Sequence, residues 1–209
     1  MDLKIHKLTN KVNNKLKEQK KIYLILITIV SISILLGIIY ALILNKSDEL
    51  LVTNSLNSFF YSIKMGNIDY KEALINSLSG NIIYSSLLFL FGIFIIGSFL
   101  IIILLFFKAF IFGFSLASII KTYHLKGILK AIFYLFPHKL ISILLALFLG
   151  FYALYFSIKL FNYLFKKKEI DLRSSMKRYL RVYLSVLIIN IILSFFEVFI
   201  TPYLIKLVI

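Results

Sequence analysis

A chain of 209 residues that is 61% hydrophobic, with a mean hydropathy of +0.96, lies outside the composition of a soluble globular domain. Lys and Arg number 24 against 9 Asp and Glu, a formal +15, and in a membrane chain that excess is first an orientation signal. The absence of cysteine excludes disulfides, thiolate metal sites and thiol nucleophiles, and His6, His124 and His138 show no metal-ligand spacing. No phosphate-binding loop, dinucleotide fingerprint or nucleophile elbow occurs. The residues alone predict an all-α, polytopic integral membrane helical bundle with about five spans, one of them short or broken, and neither catalytic motif nor cofactor.

Residues 1–21 carry seven Lys against Asp2 and Glu18, a basic head expected to stay in the cytoplasm. The rest, 22–209, reads as one membrane domain. Its first span is 22–44, which is 23 residues without a charge and long enough to cross the roughly 30 Å hydrocarbon core. Segment 45–80 has a local charge of −1, which suits the outer face. Val52, Leu56, Phe59, Phe60 and Ile63 fall on one face there, predicting an outer amphipathic helix that Gly66 stops.

The uncharged run 81–107 predicts a second span, long enough even if tilted or bent at Gly92 or Gly97. Between Lys108 and Lys121 only 109–120 is apolar, 12 residues that reach about 18 Å as a helix. The next span, 139–165, ends at the segment 166–181, whose seven bases oppose Glu169 and Asp171. For that segment to be cytoplasmic, 109–120 must cross as a short or broken third span, with Lys108 and Lys121 snorkelling. This places Lys121, Lys126, Lys130 and Lys139 outside, against the positive-inside trend; the alternative is a re-entrant loop that keeps them inside. The last span is 182–204, leaving the amino terminus inside and the carboxyl terminus outside.

Several residues stand out for function. Ala109, Gly113 and Ala117 are spaced four apart, as are Ser142, Ala146 and Gly150, so the third and fourth spans are expected to meet on these faces. The bland alternative is that small residues are common in membrane helices. Glu197 lies within the last span and must be paired, protonated or facing a cavity, with Lys108, His138 and Lys159 as candidate partners. Its other reading is a carboxylate that reaches the outer interface. Lys159 reads as a snorkelling lysine. Pro137 and Pro202 each remove a backbone donor and break or end a helix. For the two basic segments, anionic membrane lipid is the expected partner and nucleic acid is not.

Four stretches in order, NSFFYSIKMGNIDYKEAL, LFFKAFIFGFSLASII, LKGILKAIFYLFPHKLI and FFEVFITPYLI, resemble the stage II sporulation protein M family over nearly the whole chain. The resemblance rests on Phe59, Phe60, Lys64 and Gly66; on Lys108, Phe110, Gly113 and Phe114; on Lys126, Gly127, Ile128, Leu129 and Pro137; and on Glu197, Thr201 and Pro202. Two positions depart from the family pattern: Ala109 replaces a usual glycine, and His138 replaces an amide side chain. The resemblance implies a multi-pass cell-membrane protein of the mother-cell sporulation septum. It would act in engulfment as a non-enzymatic scaffold with two peptidoglycan-degrading partners, stage II sporulation proteins D and P. Segment 45–80, with Phe59, Phe60, Lys64 and Gly66, is the expected docking surface. Transport through the membrane by way of Glu197 is the alternative.

Overall fold

The computed structural model describes residues 2–166 and 171–208, with side chains from 19 to 165 and from 171 to 208. Most side chains of the basic head, and residues 167–170 of the second basic segment, lie outside the described residues. Among the described residues every element is helical: α1 (Asp2–Leu42), α2 (Lys46–Met65), α3 (Tyr70–Ile93), α4 (Gly97–Leu135), α5 (Ile141–Lys166), α6 (Leu172–Phe195) and α7 (Thr201–Lys206). Two π-helical turns, Phe136–Leu140 and Phe196–Ile200, join α4 to α5 and α6 to α7.

Four segments are long and apolar enough to cross a membrane, namely Gln19–Leu42, Tyr70–Ile93, Gly97–Phe165 and Leu172–Lys206. The third consists of two legs. At His124 the backbone takes φ 52 and ψ −127, and the chain turns back on itself. Gly127 then sits so close to the Ile119 carbonyl that a Cβ would press on it, and Phe136 reaches the ring of Phe112 at 6.4 Å. The result is a helical bundle of five long legs, in line with the sequence.

The boundaries of those legs differ from the sequence reading. The apolar run 81–107 is divided, because α3 ends at Ile93 and α4 begins at Gly97. The intervening turn carries no charge, yet its backbone is satisfied: Ser157 Oγ donates to the carbonyls of Phe94 and Ile95 at 3.1 and 3.4 Å. At its other end α3 starts at Tyr70, inside the segment 45–80 read as lying on the outer face, since Asp69 accepts from the backbone N–H groups of Lys71 and Glu72. The segment 109–120 is therefore not a short crossing. It is the middle of a leg running from Gly97 to the bend at His124, about 40 Å long.

The small residues of α4 also find a different neighbour from the expected one. Any side chain at Gly113 would collide with the Ile34 carbonyl of α1, and one at Gly37 with the Phe110 carbonyl of α4. The Ala109, Gly113, Ala117 stripe thus packs on α1, backbone against backbone. Gly150 of α5 faces Leu105 instead. Leu26, Leu88, Ile101, Leu105, Ala109, Ile119 and Leu149 form the fully buried centre where the legs meet.

Helix α2 obeys the predicted amphipathic pattern. Phe60 and Ile63 are buried, and Gly66 caps the helix at φ 76, where a side chain is strained, with its N–H on the Ile63 carbonyl. The buried face packs on the α4 bend: Phe60 meets Tyr123 at 5.3 Å, and the Lys130 ammonium lies 3.6 Å from the Tyr123 ring centre and 4.7 Å from that of Phe60. Lys121 pairs with Glu49 at 2.9 Å, and the Tyr123 hydroxyl donates to Asn57.

Candidate functional site

Proline at 137 and at 202 leaves a helix turn short of one donor, and at each place the coil widens into a π turn. The two widened turns face each other. The Thr201 hydroxyl lies 3.4 Å from the Phe196 carbonyl, to which it donates, and 3.3 Å from His138 Nδ1 on the opposing turn. Two irregular segments, each unfavourable alone in lipid, thereby satisfy part of each other's polar demand.

Glu197 is the centre of this arrangement. Ser77 Oγ of α3 donates to Oε2 at 2.7 Å, and Lys139 Nζ donates to Oε1 at 2.6 Å. His138 Nε2 stands 3.2 Å from Oε1 without completing an aligned hydrogen bond. The carboxylate is four-fifths buried and His138 almost wholly so. Both carboxylate oxygens are thus held by protein donors, which ties α3, the α4–α5 turn and the α6–α7 turn together. Of the partners nominated from sequence, His138 is present. The ion-pair partner is its neighbour Lys139, which was not nominated.

The other nominees lie elsewhere. Lys108 sits in the body of α4, its ammonium 4.0 Å from the centre of the Tyr84 ring. It is about 17 Å along the helix from Gly97, beyond the reach of a snorkelling side chain, so the bundle interior and not the interface receives it. Lys159 is near the opposite end, donating to Ser175 at 2.9 Å with Tyr155 beneath it.

A polar ladder between α3 and α6, missed in the sequence, continues from Glu197. Asn81 donates to Ser194 at 2.9 Å, Asn190 donates to Ser85 at 2.8 Å, and Ser86 meets the Tyr183 hydroxyl at 2.9 Å. The signal was available: Ser77, Asn81 and Ser85 recur every four residues on one apolar helix, facing Asn190, Ser194 and Glu197 on another.

Above Glu197 and Lys139 lies a cavity of about 610 Å³, lined also by Phe59, Ile63, Asp69 and Glu72. Phe59 is 38% exposed at its margin, whereas Phe60 is 3% exposed and serves to anchor α2. Phe60 therefore offers a partner almost no surface, which narrows the expected docking face. Lys64 is exposed, Gly66 is a helix cap, and Gly113 and Gly127 are points of backbone contact. Chemically the cluster is an ion pair in which each Glu197 oxygen accepts one protein hydrogen bond, which suits a fixed tie better than proton abstraction.

No curated protein and no solved structure matches the chain. The family model for stage II sporulation protein M matches residues 25–202, and this chain, a helical membrane protein, therefore belongs to that sporulation family.

Proposed function

We propose that the protein is a non-enzymatic membrane scaffold of endospore formation. It acts at the sporulation septum of the mother cell during engulfment and holds peptidoglycan-degrading partners of the kind represented by stage II sporulation proteins D and P. The observation that carries the scaffold reading is the engagement of both Glu197 oxygens by Ser77 and Lys139, with His138 alongside, which favours a fixed bundle over a chemically active one. The basic segments favour a cytoplasmic location for one end of the bundle, which leaves α2 facing the cell wall. With Phe60 buried, the surface offered to partners is the outward side of α2, including Leu51, Tyr61, Lys64 and Met65.

The test is membrane-dye microscopy of a deletion strain during sporulation. A septum that forms but fails to curve around the forespore is the expected result, and normal engulfment overturns the assignment. Charge reversal within 48–72 is expected to reduce recruitment of the partner hydrolase; unchanged recruitment removes α2 as the docking surface. The cavity beside Glu197 favours a second reading, passage of a solute. Flux into liposomes that falls with Glu197→Gln would support it.

A further inference from the structure

Lys108 is a cation placed inside the bundle that makes no ion pair among the described residues. Charged side chains at that depth face a cavity or find a counter-charge. The Tyr84 ring face meets only part of that demand. Lys108 also lines a cavity of about 310 Å³ between α3, α4 and α5, together with Ser115, Tyr134, Lys139 and Ser142.

The formal charges in the lining of this cavity are the ammoniums of Lys108 and Lys139, and Glu197, within electrostatic range of Lys108, makes its ion pair with Lys139. The lining contains no Asp or Glu. The Lys139 charge is met by Glu197, and the Asn81 amide nitrogen is given to Ser194. What remains is the Lys108 ammonium with hydroxyl groups around it. Ser142 is 6% exposed, and its Oγ has no hydrogen-bond partner, a state that buried hydroxyls rarely tolerate. An ammonium and several hydroxyl donors call for an anion with several oxygens. A halide would leave the hydroxyls without distinct acceptors, and a volume of 310 Å³ admits an organic substituent beyond the anionic group. Phe112, Leu135 and Ile143 supply apolar walls for that substituent.

We propose that this cavity is a binding site for a phosphate oxyanion, with Lys108 as counter-ion and Ser142 as hydrogen-bond donor. The phosphate belongs either to an anionic lipid headgroup or to a soluble phosphate. The site is independent of the scaffold reading, since it holds for any function of the bundle.

Full-length protein in nonionic detergent provides the test. In one arm, native mass spectrometry counts retained phosphatidylglycerol against a phosphate-free glycolipid. In the other, inorganic phosphate is titrated and the melting temperature followed. Retention of phosphatidylglycerol identifies the lipid source, and a phosphate-dependent rise in melting temperature identifies the soluble one. In whichever arm the wild type responds, Lys108→Met and Ser142→Ala are expected to weaken binding about tenfold or more, while Lys159→Met binds as wild type. If Lys108→Met does not fold, Ser142→Ala, which removes only one hydroxyl, decides. Wild-type affinity in both Lys108→Met and Ser142→Ala overturns the proposal. So does a wild type that responds to neither phosphate probe.

Discussion

A carboxylate left unpaired among apolar helices costs several kcal/mol, and Glu197 avoids that cost because Ser77, His138 and Lys139 converge on it from two other elements. Glu197→Gln keeps the shape and removes the charge, so Lys139 loses its counter-charge while Ser77 can still donate to the amide oxygen. Lys139 is 41% exposed, and solvent softens the loss; the expected destabilisation is about 1–3 kcal/mol, read as a lower melting temperature by circular dichroism in detergent. Lys139→Met in the same chain should add less than its own separate effect, because the two residues share one interaction. Equal melting of wild type and Glu197→Gln would show that the tie contributes no stability. His124 presents the opposite case, a residue whose backbone conformation is unfavourable for its type. Its side chain is exposed, so His124→Gly forfeits no packing and relieves a φ of 52. A gain of about 1 kcal/mol is expected, and a fall in melting temperature would mean that the imidazole itself holds the bend.

Elements show where the sequence was readable and where it was not. Periodicity found α2, and Gly66 marked its end, because a left-handed cap has a residue signature. Hydropathy found the apolar legs and allowed a bend at Gly92 or Gly97, but not the full turn at Phe94–Ile96, where the Phe94 and Ile95 carbonyls accept from Ser157, 63 and 62 residues later in the chain. No local composition reports such a partner. The start of α3 was legible, since Asp69 followed by Glu72 is a capping pair, but the second span was begun at 81, where the uncharged run starts. Glu197 stood out as an acid in an apolar run, whereas its Lys139 pairing depends on two π turns meeting. Small-residue spacing revealed that α4 packs closely on another helix but pointed to the fourth span, whereas the helix it meets is α1. With α1 as that partner, Gly113→Ile and Gly37→Ile each drive a side chain into a backbone carbonyl that cannot rotate away. Each should cost about 3 kcal/mol. Cysteines placed at Tyr40 and Phe110, whose rings are 5.7 Å apart, should then lose their cross-link by a short bifunctional maleimide. A cross-link of wild-type efficiency in Gly113→Ile would show that α1 and α4 tolerate separation.

At the scale of the molecule the difficulty was charge. Five legs with the amino terminus inside leave Lys121, Lys126, Lys130 and Lys139 at the outer end, where the positive-inside trend disfavours them. The structure gives most of these lysines an occupation: Lys121 pairs with Glu49, Lys139 with Glu197, and Lys130 lies between the rings of Tyr123 and Phe60. Their charge is met by protein, whereas Arg173, Lys177 and Arg178, at the start of α6, are not members of any ion pair among the described residues. In the orientation expected from sequence, these unpaired bases at the α6 start face the cytoplasm, while three of the four outer lysines are engaged by protein groups. Because the chain has no cysteine, the orientation can be measured with single introduced thiols. In intact cells, Lys64→Cys on exposed α2 should react with a membrane-impermeant maleimide, and Arg173→Cys should react only after the membrane is opened. Neutralising Glu49 and Glu197 together would free Lys121 and Lys139, bringing the two ends closer in charge, so a fraction of the Arg173→Cys chains should become reactive from outside. Labelling of Arg173→Cys in intact cells without those changes would invert the bundle and place α2 in the cytoplasm, away from any wall-degrading partner.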